Sequence, residues 1–341
     1  LANSRLKGSR SRCDIPYLVE RIRTRIASET TTDMELLSVL RFSGDLAGHK
    51  DLSAAAFFGD GDFLAIGADE GTAIQILRRA GDGHYAVSHS INLLADRSDE
   101  EVDIEGIAYS DNGRLYVVGS HSRRRQRIDH GKRKKDNRKR LERGESEFGR
   151  EKLFELRIDS DGRLSDDIEV TSLQSRIESD PILGPFSKIP GKENGVDIEG
   201  IAAIGDGLFV GFRGPVLRGG HVPVLKFDFD KPDEAETLLI NLGDRGIRDI
   251  ARVSDGFLLI GGPVGNEPIS FDLYHWNGED GVEGKGKSSL LIHLGSIPIP
   301  EKQAKPEGLA VMAENSSHYD LLIVFDGIKH GAPTVFRVRK Q

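Results

Sequence analysis

The chain has 341 residues, 37% hydrophobic and 30% charged, with a formal net charge of −8. That balance can bury a substantial core beneath a highly charged surface, and it marks a soluble globular protein. The single cysteine, Cys13, excludes an intramolecular disulfide and any Cys-based metal site, so a reducing, cytoplasmic setting is expected.

Residues 1–33 are rich in Arg, Lys and Ser and lack the apolar run of a signal peptide, and no later segment is long enough to span a bilayer. They predict a tail whose amphipathic stretch, 15–26, docks on the surface. The domain then runs from 34 to 341. Its first strand, 35–42, has no hairpin partner nearby.

A four-strand unit follows and recurs. In the first unit the strands are 52–58, 63–66, 73–77 and 86–93, with Gly59-Asp60-Gly61 as the first turn. In the second they are 104–109, 115–118, 153–158 and 168–173, turning at Asp111-Asn112-Gly113. The third has 198–204, 208–212, 224–229 and 237–242, and the fourth 247–253, 257–260, 271–276 and 289–294, turning at Gly205-Asp206-Gly207 and Ser254-Asp255-Gly256. Asn-Gly and Asp-Gly pairs favour tight hairpins. The second strands are continuous apolar runs and the third strands alternate, as expected for buried and half-wet positions. The fifth unit has 306–312, 321–325 and 335–338 but no fourth strand. Assigning 35–42 to that vacant place completes five blades and removes two exposed edges. The predicted fold is therefore all-β: a five-bladed β-propeller closed by an N-terminal outer strand, one domain despite its length.

The second unit carries two insertions, 123–150 and 174–196. Within the first, positions 123–143 hold twelve Lys or Arg and three Asp or Glu, a net +9 that leaves −17 for the remainder of the chain. Such a run can bind nucleic acid, but it has no interleaved aromatics and the body around it is acidic, so a solvated loop is the expectation. The second insertion, with three prolines in 174–194, predicts a short helix and a loop.

In a propeller the start of each innermost strand and the end of the next share one rim of the channel. Aligning the inner strands puts Ser53, Glu105, Glu199, Arg248 and Glu307 in one register, with Asp51, Asp103 and Asp197 two residues upstream and expected on the same side. Carboxylates converging at a channel mouth demand relief by raised pKa values, a cation or a basic partner. Ser53, Glu105, Glu199 and Glu307 suit a hard cation, calcium above all. Arg213 and Arg218 on a Gly-rich loop, with Arg248 and Asp326, form a candidate site for a small anionic ligand. Glu105 and Glu199 are candidate catalytic carboxylates, and His121 is a candidate proton-transfer group.

The blocks Asp103-Ile104-Glu105-Gly106-Ile107-Ala108, Gly119-Ser120-His121-Ser122-Arg123, Asp197-Ile198-Glu199-Gly200-Ile201-Ala202, 211–219 and 246–250 resemble a bacterial family known only as domain of unknown function 3616, over roughly residues 40–340. The resemblance supports the site residues without implying a reaction. The architecture is also similar to that of the calcium-dependent apyrases, five-bladed propellers in which Ser and Glu of the inner strands hold a central calcium, and of phytase-like esterases. Ser53, Glu105, Glu199 and Glu307 match the apyrase pattern and Arg248 departs from it. Two readings follow: a metal-dependent hydrolase of a small anionic, phosphorylated substrate, or a non-catalytic propeller module that binds a ligand or protein. A monomer with no membrane association is expected in either case.

Overall fold

The computed structural model describes residues 34–94, 101–142, 144–145, 148–285 and 289–341; the expected tail, 1–33, lies outside the described residues. Hairpin turns at the predicted places fold the chain into five antiparallel sheets. Their inner strands are Leu52–Phe58, Ile104–Ser110, Asp197–Ile204, Gly246–Val253 and Lys305–Glu314, and each packs against the next in a closed cycle. This is the five-bladed propeller that the repeat predicts.

The apolar second strands explain why the blades stack. Leu115, Tyr116, Val117 and Val118 are all fully buried, touching one neighbouring blade with each alternate residue. Five apolar clusters result, one between each pair of adjacent blades. Between the third and fourth blades, Phe209 meets Phe257 at 4.5 Å between ring centroids, and Phe257 meets the buried Trp276 at 5.3 Å. Large side chains buried in this way contribute about 1.5–3 kcal/mol each, which no single blade could collect alone.

The predicted strand 35–42 is in fact two strands. Met34–Val39 pairs antiparallel with Thr334–Arg339 as the outer strand of the fifth blade, and Arg41–Ser43 pairs parallel with the outer strand His84–Asn92 of the first. The break falls at Leu40, whose N–H donates to Pro333 O at 2.8 Å while Arg41 N–H donates to Gly83 O at 2.7 Å. Leu40 and Phe42 are buried between the fifth and first blades. One short segment thus joins the two ends of the ring.

Both insertions leave from the rim where the inner strands begin. The basic one is an arm and not the expected irregular loop: Arg124–Arg125 pairs with Gly144–Glu145, and Lys134–Glu142 forms a helix with no buried residue. Its Lys, Arg and Leu content, free of Gly and Pro, favours that helix. Arg125 anchors the arm through two bonds to Glu193, at 2.5 and 2.8 Å. The second insertion forms the expected short helix, Gln174–Ser179, whose Ile177 packs with Leu173 and Leu183 on the cluster between the second and third blades. Among the described residues no helix is long and apolar enough to cross a membrane.

Candidate binding site at the channel mouth

The five residues of the predicted ring share a backbone feature. In every inner strand the ladder slips by one residue at that position: between Leu52 and Ala54, Ile104 and Gly106, Ile198 and Gly200, Ile247 and Asp249, and Pro306 and Gly308. Ser53, Glu105, Glu199, Arg248 and Glu307 are therefore the bulged residues, which have no partner opposite them and re-aim their side chains. In four of the five strands the following position is small, Ala54, Gly106, Gly200 and Gly308, because adjacent inner strands nearly touch there. A Cβ on Gly106 would stand 2.8 Å from Ile201 N, and one on Gly200 2.8 Å from Ile250 N.

The structure joins most of the predicted ionic residues into one network. Arg213 reaches Glu199 at 2.5 Å and also pairs with Asp197. Arg248 lies 3.2 Å from Glu199 through its Nε, without hydrogen-bond geometry, and pairs with Glu307 through a terminal nitrogen. Asp103 is held by Arg150 at 2.5 Å, and Asp326 by Lys305 at 2.6 Å. Glu199 and Arg248 are 2% and 3% exposed, so these are buried pairs whose charges each depend on the other. Burial lifts the carboxyls of Glu199 and Glu307 above their ordinary range, with the guanidiniums acting in the opposite sense. Against the cost of its own burial, Asp197, Glu199, Glu105 and Glu307 hold Arg213 firmly protonated.

Glu105 is the exception within the ring. Among the described residues it makes no ion pair, and burial, followed by Glu199, Asp103, Asp197 and Glu307, pushes its carboxyl well above the usual range. Asp69, at the end of the second strand of the first blade, is a companion case. Its Oδ1 has no hydrogen-bond partner, and burial together with Asp103, Glu307, Asp326 and Asp51 pushes its pKa up to about 7.

Three expectations are corrected by this geometry. The calcium set does not fit: the hydroxyl of Ser53 donates to Ile104 O, and Glu199 and Glu307 are occupied by guanidiniums, so only Glu105 keeps free donor oxygens. Nor is there a guanidinium pair open to an anion, because Arg213 and Arg248 are spent on carboxylates, whereas Arg218 is exposed on its loop. His121 is buried with both ring nitrogens engaged, Nδ1 donating to Gly119 O at 2.9 Å and Nε2 accepting from Leu173 N–H at 3.1 Å. Burial lowers its pKa to about 4, the mark of a neutral histidine that ties the end of the second strand to Leu173, just before the second insertion.

Arg150 and Asp249 escaped the sequence reading. Arg150 closes the basic insertion and pairs with Glu101 as well as Asp103. Asp249 occupies the slot that is Gly106, Gly200 and Gly308 in three other blades. Its buried carboxylate accepts from Ile250 N–H at 2.7 Å and, across to the fifth blade, from Leu309 N–H at 2.6 Å. The break in the glycine pattern was the available signal.

Asp69 yields a pH prediction. A carboxyl raised in the folded state contributes stability that is fully present below its ordinary value and is lost as pH rises to about 7. Asp69→Asn should remove that loss. Its melting temperature, compared with the parent at about pH 5 and about pH 8, should therefore gain at the higher pH; parallel pH profiles would show that Asp69 does not carry the charge.

At the opposite mouth the channel widens into a cavity of about 400 Å³ lined by Ala56, Ala108, Ala202, Ala251 and Ala310, one from each inner strand, with Arg252 and Glu314 among its walls. Arg252 pairs there with Asp111 at 2.5 Å, and Glu314 with Ser254.

Five sheets around a channel, with a bulged ring of ionic residues at one end, define a five-bladed β-propeller bearing a charged mouth. The family model described as "Protein of unknown function (DUF3616)" matches residues 51–334, and the chain belongs to that family. No curated protein matches the sequence. Among solved structures, the chain is similar to a mannose phosphorylase from Leishmania mexicana in complex with phosphate, at 13% identity and a TM-score of 0.44, covering 94% of this chain and 92% of that one. It is also similar to a gluconolactonase from Xanthomonas campestris (12% identity, TM-score 0.40, 85% and 76% covered) and to the calcium structure of a family AA12 enzyme from Trichoderma reesei (11%, 0.39, 91% and 96%). These likenesses concern the fold alone and do not bear on the chemistry of the mouth.

Proposed function

We propose that the chain is a ligand-binding propeller whose charged mouth takes a small molecule offering hydrogen-bond donors or positive charge, such as a polyol or an amine. One observation carries this reading. Two of the three guanidiniums expected to receive an anion, Arg213 and Arg248, are buried against Asp197, Glu199 and Glu307, while Glu105 and Asp69 keep no cation of their own. An incoming ammonium or hydroxyl group would relieve two carboxyls that already sit among like charges. Of the two readings raised by the sequence, the binding module is favoured over hydrolysis of a phosphorylated substrate, because Arg213 and Arg248 are both paired with carboxylates and only Glu105 of the predicted calcium set keeps free donor oxygens.

Thermal-shift and calorimetric titrations with glucose, putrescine, inorganic phosphate and calcium chloride test it. A polyol or amine should stabilise the parent and bind at least about tenfold more weakly to Glu105→Gln, the loss of one charge-assisted bond. Stabilisation by phosphate or calcium alone, or by none of the four, would count against the reading.

A further inference from the structure

The basic arm takes no part in the chemistry of the mouth, yet its helix has a fixed orientation. One side faces inward and is pinned by polar contacts: Asn137 Nδ2 donates to Asp129 O at 2.8 Å, and Arg140 Nε donates to Arg127 O at 2.7 Å. Arg133, just before the helix, clasps Asp136 at 2.7 Å. At about 100° per residue, positions 134, 135, 138 and 139 fall together on the opposite side, and Lys134, Lys135, Arg138 and Lys139 are all exposed. Among the described residues Arg127, Lys134, Lys135 and Lys139 make no ion pair, although the chain outside 123–143 carries −17.

The shape of this ridge narrows its partner. Leu141 is the one apolar side chain of the nine-residue helix, so no face exists to seat in a bilayer. Its exposed apolar side chains, Leu141 and the nearby Ile128, stand singly among cations with no aromatic beside them on the helix, unlike the clustered anchors on which protein partners concentrate their binding energy. Long-stemmed cations over about 13 Å of helix match instead a backbone carrying a phosphate every few ångströms, which demands charge and no anchor. We propose that the arm is a docking ridge for the phosphodiester backbone that RNA and DNA share. Contact is through phosphates and without base readout, since the helix carries no aromatic for stacking. The acidic body confines contact to the arm.

Fluorescence anisotropy with labelled RNA and DNA duplexes, from about 50 to about 200 mM salt, tests the proposal. With about four phosphates neutralised, affinity should fall roughly a hundredfold across that range. Lys134→Glu/Lys135→Glu/Lys139→Glu should weaken binding at least tenfold at the lowest salt and flatten the salt slope by about three. Replacing residues 126–142 with a short Gly/Ser linker, which keeps Arg125 on Glu193, should abolish binding while leaving the melting temperature nearly unchanged, because the helix buries nothing. A preference for RNA over DNA, or the reverse, would identify which backbone the ridge serves. No binding by the parent at the lowest salt, equal binding by the triple variant, or polyglutamate competing as well as nucleic acid would each overturn the proposal.

Discussion

Arg248→Met should destabilise the fold by about 3–5 kcal/mol at neutral pH, one of the largest losses available to a single substitution in this chain. The guanidinium is 3% exposed and serves both Glu199 and Glu307. Its removal leaves two carboxylates buried together with only Arg213 and Lys305 to compensate. The loss has a definite pH dependence. Glu199 and Glu307 already titrate above their ordinary range, and without Arg248 they rise further. Their protonated forms then support the fold below the unfolded-state value, and that support disappears as pH increases. Chemical denaturation at about pH 5 and about pH 8 should show the variant closer to the parent at the lower pH. Calcium should not stabilise the parent, because Arg213 and Arg248 occupy its would-be ligands Glu199 and Glu307. An Arg248→Met protein as stable as the parent, or a parent whose melting temperature climbs with calcium, would mean that the ring is neutralised in some other way.

Removing the chain up to Ser43 should be more damaging still. The truncation strips the outer strand from Thr334–Arg339 and the parallel strand from His84–Asn92, and uncovers the seam that Met34, Leu40 and Phe42 fill. Three buried apolar side chains at about 1.5–3 kcal/mol each amount to several kcal/mol, a large share of the net stability of an ordinary domain. Two newly unpaired sheet edges also invite association. Circular dichroism melts and size-exclusion chromatography should show an early-melting, aggregating protein. A monomer with the parent's melting temperature would refute closure by this segment.

Much of this was legible in the sequence because a propeller repeats. Asp-Gly and Asn-Gly turns at regular intervals marked the hairpins, and aligning the inner strands was enough to place Ser53, Glu105, Glu199, Arg248 and Glu307 in one ring. What stayed hidden depends on contacts between distant segments. Nothing near Leu40 announces that the chain changes blades there, because hydrogen bonds to Pro333 and Gly83 decide it. Arg150 is the last residue of an insertion that no alignment of repeats can register, yet it is the partner of Asp103. Arg218 and Arg213 looked equivalent on one loop, and only the packed structure separates an exposed guanidinium from a buried one. The polar block around His121 pointed to chemistry, whereas the Leu173 N–H that occupies its second nitrogen lies 52 positions away.

The bulges have a consequence for how such a site can change. Because the extra residue in each inner strand has no cross-strand mate, its identity is free of the ladder, and hydroxyl, carboxylate and guanidinium stand in equivalent sockets of one frame. What constrains the five is their summed charge, settled between neighbouring blades: Arg248 of the fourth answers Glu199 of the third and Glu307 of the fifth. A compensating exchange must therefore be sought sideways, around the circle, and relatives with a different ligand should show paired replacements at adjacent sockets while the strands that carry them stay as they are.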